Sequence, residues 1–280
     1  MTRKRKKQYK KGIKVKNYIL WLLLLVSIVL LSLIVRKHHR AISYEIKKVY
    51  RSVVNKSNYK PPSKLDPTQA LGVKIPRNFK VFGTDVSRHQ GRINWEKLSK
   101  FRFDGHKIEF VFIKATEGEN WEDNQFEYNW KKAKKYKILR GAYHFYRPKV
   151  HSSKQMKNFT ELVKMEKGDL PPVLDVEIES SLPKSTYRKG VLNCLKIMET
   201  TYGVKPIIYT NQKLYREYFK HKNFKDYYFW ISRLKSTPPR MDEWHFWQFT
   251  YEAVVKGTDE YVDMNAFNGS KQQLLNMTKK

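Results

Sequence analysis

The chain has 280 residues and carries 57 Lys and Arg against 26 Asp and Glu, a formal charge of +31. That length allows one large domain with appendages, and that charge suits a polyanionic partner: nucleic acid, an anionic membrane or an acidic wall polymer. A single cysteine, Cys194, excludes an intrachain disulfide, and with no P-loop, zinc-finger spacing or RNP-like run, nothing beyond charge points to nucleic acid.

The charge is unevenly spread. Residues 1–60 hold 17 Lys and Arg against Glu45 alone, which leaves +15 for the remainder. Tyr18 to Val35, YILWLLLLVSIVLLSLIV, is an uncharged run of 18 residues. As a helix it would be about 27 Å long, enough to cross the hydrocarbon core of a bilayer. Nine Lys and Arg precede it and three follow in RKHHR, so the positive-inside rule keeps the N-terminus in the cytoplasm. The run ends without a small-x-small cleavage site and is long for a signal peptide, which favours an uncleaved anchor over a removed leader. The sequence thus predicts a basic cytoplasmic tail over 1–17, a transmembrane anchor over 18–35, a juxtamembrane segment and linker over 36–75, and an exported domain over 76–280. The expected location is the inner (cytoplasmic) membrane of a bacterium, single-pass, with the domain on the periplasmic or wall side.

From residue 81, strand-like runs alternate with helix-like ones. VFGTDVS precedes the helical INWEKLSKF, EFVFIKAT precedes DNQFEYNWKKAKKYK, and RGAYHFY precedes SSKQMKNFTELVKME. LPPVLDVE then leads into TYRKGVLNCLKIMETTYG, whose apolar face takes Cys194 as core filler, and KPIIYT into NQKLYREYF. After that the helices fade, and YYFWISRL, EWHFWQFT and EYVDMNAF read as strands joined by loops. The fold class is α/β: an irregular TIM-like (β/α) barrel of eight strands with helices missing from its last third, preceded by one transmembrane helix.

Active sites of such barrels lie at the C-terminal ends of the strands, and several strand ends here are polar. They carry Asp85, Glu117, Asp175 with Glu177, and Asp263 with Asn265, accompanied by Tyr143, Phe145, Tyr209, Trp247 and Gln248. In PPVLDVE, Asp175 and Glu177 are two apart on a strand and so share a face, a repulsive arrangement suited to acid catalysis. Carboxylates from separate strands converging on an aromatic rim, with no nucleophilic Ser or Cys motif and no metal-ligand spacing, point to glycosidic chemistry. Neither a metal nor a cofactor is called for, and no motif identifies a protein partner.

Taken in order, GTDVSRHQGRINWEKL, FVFIKATEG, DNQFEYNWKKA, RGAYHFYRP, PPVLDVE, GVKPIIYTN, FWISRL, WQFT and VDMNAF resemble the glycoside hydrolase family 25 lysozymes, the Chalaropsis-type N-acetylmuramidases, over about residues 80–268. The resemblance implies hydrolysis of the β-1,4 bond between N-acetylmuramic acid and N-acetylglucosamine, with peptidoglycan glycan strands as partner. It implies catalytic roles for Glu177 as general acid, Asp175 as its partner carboxylate, Asp85 from the first strand and Asp263 from the last. Tyr143, Phe145, Tyr209, Trp247, Gln248, Asn265 and Glu117 are the expected substrate-binding residues.

Glu177 is expected to be partly buried and protonated at rest. An i,i+2 pair is separated by roughly 6.6 Å of strand, wider than the ~5 Å of a retaining nucleophile–acid pair. Two routes stay open: inversion through an activated water, or attack by the substrate's own 2-acetamido group with Asp175 orienting it. The D-x-E pattern resembles substrate-assisted families and favours the second. The carboxylates borne by muramic acid would suit a basic groove, whereas lysines such as those of KKAKKYK read as solvating an outer helix face. Rival readings are a catalytically weak wall-binding module, which the intact four acids oppose, a released toxin, which an anchor opposes, and a nucleic-acid binder, whose phosphates the strand-end acids would repel.

Overall fold

The computed structural model describes Ser27, residues 71–241 and residues 243–280. The predicted tail over 1–17, the anchor over 18–35 (Ser27 apart) and the linker up to residue 70 lie outside the described residues. The described domain reaches back into the predicted linker: Leu71 is fully buried, and its carbonyl accepts from the Val254 amide at 2.8 Å.

Ten strands follow in chain order: β1 (Val81–Val86), β2 (Arg102–Phe103), β3 (His106–Glu117), β4 (Trp121–Glu122), β5 (Leu139–Phe145), β6 (Val173–Asp175), β7 (Ile207–Asn211), β8 (Tyr228–Ser232), β9 (Phe246–Ala253) and β10 (Val262–Phe267). Between them run helices α1 (Trp95–Lys100), α2 (Phe126–Lys135), α3 (Ser152–Leu162), α4 (Lys184–Tyr202) and the short α5 (Gln212–Leu214), and α6 (Lys271–Asn276) closes the chain.

Eight strands close into a barrel in the order β1, β10, β9, β8, β7, β6, β5, β3, with β3 returning to β1. β2 and β4 are short antiparallel additions to β3. All neighbours from β1 through β3 round to β9 are parallel. β10 is antiparallel to both β9 and β1, so the sheet is mixed rather than all parallel. The cause lies in the β9–β10 link: it contains no helix, and a parallel return would need a crossover. Because β10 runs backwards, its first residues meet the C-terminal end of β1.

Alternation along the strands divides the core in two. Phe110, Phe112, Val173, Ile207, Trp230, Phe246 and Phe267 fill the barrel interior. Leu174, Ile208, Ile231 and Trp247 point outward against Met156, Phe159, Val191, Leu195 and Met198 of the helices. Two glycines make the interior fit. A Cβ on Gly83 would lie 2.4 Å from the Phe110 ring, and one on Gly141 would lie 2.7 Å from the Phe112 ring. The barrel is therefore packed solid below its upper rim, and only that rim remains for chemistry.

Candidate active site

Asp85 near the end of β1 stands directly opposite Asp263 near the start of β10. Like charges facing across a sheet are destabilising, so the pairing needs local support. Asp85 Oδ2 accepts from Asn265 Nδ2 at 2.7 Å and from Gln248 Nε2 at 3.1 Å. Gln248 Oε1 in turn accepts from the Tyr209 hydroxyl at 2.9 Å and Ser232 Oγ at 3.1 Å. Asn265 Oδ1 accepts from Trp230 Nε1 at 2.8 Å. Side chains from β1, β7, β8, β9 and β10 thus fix one another's orientation in a single network.

Burial pushes the Asp85 carboxyl up to about 6, against the two amide hydrogen bonds and with the help of Glu177. Asp175, at the end of β6, is only 6 % exposed. Burial, then Glu177, and more weakly Asp85 and Glu117 push its carboxyl well above the usual range, while Lys114 opposes. Its Oδ1 has no hydrogen-bond partner. Asp263 is also pushed well up, by desolvation first and then by Asp85 and Glu177. The fold sets Asp85, Asp175, Glu177 and Asp263 close enough to repel one another, as one cluster.

β6 ends at Asp175, and Glu177 lies beyond it and is exposed. The burial expected at Glu177 is found at Asp175 instead, and the separation of the two carboxylates is not set by a regular pleat.

Asp175 and Tyr209 pair in register on β6 and β7, and Tyr143 lies two residues lower on β5, level with Val173. The Tyr143 hydroxyl is pushed up by burial and by Asp85, Asp175 and Asp263, and that of Tyr209 by burial and by Glu177, Asp175 and Asp85. Phe145 pairs in register with Asp175 on one side and Glu117 on the other. Trp247 is the exception among the expected binding residues. It is fully buried, faces the outer core, and donates its indole N–H to the Arg233 carbonyl at 2.8 Å. Adjacent strand residues face opposite ways, so only Gln248 of that pair reaches the cleft.

The β3–β5 register slips between Lys114 and Thr116. Without that bulge, Lys114 and Glu117 would face opposite ways. With it, Lys114 Nζ pairs with Glu117 Oε2 at 2.8 Å, and Thr116 turns outward to meet His144 Nδ1 at 2.7 Å. Bulges beside functional sites commonly re-aim a side chain in this way. Sequence reasoning passed over Lys114, Trp121, Arg147, Trp230 and Ser232. For Lys114 a signal existed: it is a charged residue in phase with Phe110 and Phe112 on an otherwise apolar strand.

The family model for glycosyl hydrolases family 25 matches residues 84–258. YegX of Escherichia coli K12 is 38 % identical over 214 residues, covering 74 % of this chain and 77 % of its own. Lysozyme M1 of Streptomyces globisporus is 31 % identical over 213 residues, 70 % of each chain. Among solved structures, a family 25 glycosyl hydrolase from Bacillus anthracis superposes with a TM-score of 0.66 at 30 % identity, covering 72 % of this chain and 95 % of that one.

Proposed function

The chain belongs to glycosyl hydrolases family 25 and is a glycoside hydrolase of the lysozyme type, and from that premise we propose that it cleaves the β-1,4 bond between N-acetylmuramic acid and N-acetylglucosamine in peptidoglycan through Glu177 and Asp175. The observation that carries the assignment is the buried Asp175 carboxylate, with one oxygen lacking any partner, beside three other acids. An unmet buried acceptor is costly, and the N–H of a substrate 2-acetamido group would meet it.

In this reading Asp175 orients the acetamido group so that its oxygen attacks the anomeric carbon, and its negative charge stabilises the oxazolinium that forms. Lys114 supports the ionised form of Asp175. Four crowded carboxyls cannot all ionise near neutral pH. The proton that the cluster retains is delivered to the leaving oxygen from Glu177, the member open to solvent. Asp85, held by two amides, crowds Asp175 with like charge, and it and Asp263 later receive the attacking water. Tyr143, Phe145 and Tyr209 line the sugar site, and Gln248 and Asn265 act through Asp85.

Residues 18–35 are proposed to anchor the enzyme in the inner membrane with its N-terminus in the cytoplasm, on the strength of their hydropathy and the surplus of flanking positive charge. Alkaline carbonate extraction checks this: an anchored chain stays in the pellet, and its appearance in the supernatant would refute the anchor. The mechanism is tested by proton NMR of the product formed first from peptidoglycan. Retention of the β anomer supports acetamido participation, and a first-formed α anomer overturns it in favour of inversion.

A further inference from the structure

One wall of the cleft alternates cations with aromatic rings. The Arg88 guanidinium lies 5.0 Å from the Trp121 ring centroid. Lys114 Nζ lies 4.9 Å from Trp121 and 4.7 Å from Phe145. The Arg147 guanidinium also lies 4.9 Å from the Phe145 centroid. These five residues come from β3, β4, β5 and the segments following β1 and β5, and the bulge at Ala115 is what turns Glu117 to the side that Lys114 already faces.

The charges on this wall do not balance. Glu117 is the one carboxylate ion-paired with these cations among the described residues, and Lys114 and Arg147 share it, at 2.8 Å from Lys114 Nζ and 2.9 Å from Arg147 Nε. The Arg88 guanidinium has no carboxylate within ion-pair reach among them and lies over the Trp121 ring, while the Arg88 backbone N–H donates to Asp123 Oδ2 at 2.9 Å. Three cations against one ion-paired acid, with the Asp123 carboxylate bound to backbone N–H groups, leave the guanidinium of Arg88 open to a ligand. Arg88 and Arg147 are exposed, so water solvates their charge until an anion arriving from solvent takes its place. The wall also adjoins the reacting centre, because the Lys114 charge acts on Asp175. Arg147 remains 46 % exposed, so a ligand can reach it without the protein opening.

We propose that Arg88, Lys114 and Arg147, interleaved with Trp121 and Phe145, form a subsite for a carboxylate carried on the lactyl arm of muramic acid, selecting muramyl glycan over neutral chitin-like chains. The proposal rests on the peptidoglycan reading above and deepens it. The carboxylate is either that of the lactyl group itself or one on the attached peptide. Guanidinium groups favour this ligand because their fork matches carboxylate geometry.

The test compares kcat/KM of the full chain, wild type, Arg147→Gln and Arg88→Gln, on glycan strands with free carboxylates and on the same strands amidated with carbodiimide and methylamine. Each substrate is prepared with its stem peptides intact and with them removed by an amidase. Wild type is expected to lose about tenfold on amidation, with the loss in KM and shrinking at high salt. Arg147→Gln is expected to lose about tenfold on the free-carboxylate strands, again in KM, and to distinguish the two substrates less well. An unchanged melting temperature for this half-exposed residue would exclude a merely structural effect. Discrimination that survives peptide removal assigns the subsite to the lactyl carboxylate, and discrimination only with peptides present assigns it to the stem. Equal, rapid cleavage of free and amidated strands by wild type and both variants overturns the subsite and leaves the peptidoglycan reading intact. Cleavage of neither strand overturns that reading, and the subsite with it.

Discussion

The pairing of Asp85 with Asp263 and the burial of Asp175 are choices that a fold selected for stability alone would avoid. The cost has a definite pH dependence. Burial raises the carboxyls of Asp85, Asp175 and Asp263 in the folded protein above the value of about 3.9 for an unfolded Asp. The folded state then holds these protons more tightly than the unfolded chain. Stability from this source is fully present below pH 4 and falls as pH rises through the folded values, that of Asp85 being about 6. Asp175→Asn replaces the buried acid with a neutral isostere, so its melting temperature should match wild type near pH 4 and exceed it by roughly 3–6 °C at pH 7. A gap that narrows as pH rises would contradict this. The same change should abolish most activity, whereas Gln248→Ala should weaken catalysis by loosening Asp85. The legibility of residues followed the same logic. The four acids stood out because carboxylates are rare on buried strands. Trp247 was misplaced because an aromatic beside a cleft residue suggests a sugar platform, although strand alternation sends the two to opposite faces.

Strand–helix alternation made most of the barrel visible in the sequence from Val81 to Asn211. It did not show that β10 reverses, because a strand's direction depends on its connection and not on its own residues. Nor did it show the bulge at Ala115, which depends on pairing between β3 and β5. Both matter for the site: reversal brings Asp263 to Asp85, and the bulge brings Lys114 and Glu117 to one side. Glu177 was read as part of a strand, yet β6 stops two residues earlier. Element packing also carries a prediction. Gly141 on β5 faces Phe112 on β3, where a Cβ would come within 2.7 Å of the ring and 3.3 Å of Leu170 Cβ. Gly141→Ala should therefore cost about 1–3 kcal/mol by overpacking, read as an earlier urea midpoint at unchanged slope. An unchanged midpoint would mean that the barrel interior has slack that its close contacts do not suggest.

At the scale of the molecule, a solid barrel carries an acid cluster at one rim, and the sequence ahead of it has the hydropathy and flanking charge of a membrane anchor. Such an enzyme would work on wall close to its own membrane rather than as a diffusing lysin. Its excess positive charge would favour an anionic substrate matrix at low ionic strength. Narrower than that biology is the proposed role of Glu177 as the acid of a muramidase. The direct measurement is digestion of purified peptidoglycan by the full chain and by Glu177→Gln, followed by borohydride reduction and mass spectrometry of the new reducing ends. Muramic acid is expected at those ends, formed about 10²–10⁴-fold more slowly by Glu177→Gln. N-acetylglucosamine ends, or a Glu177→Gln protein as fast as wild type, would contradict it.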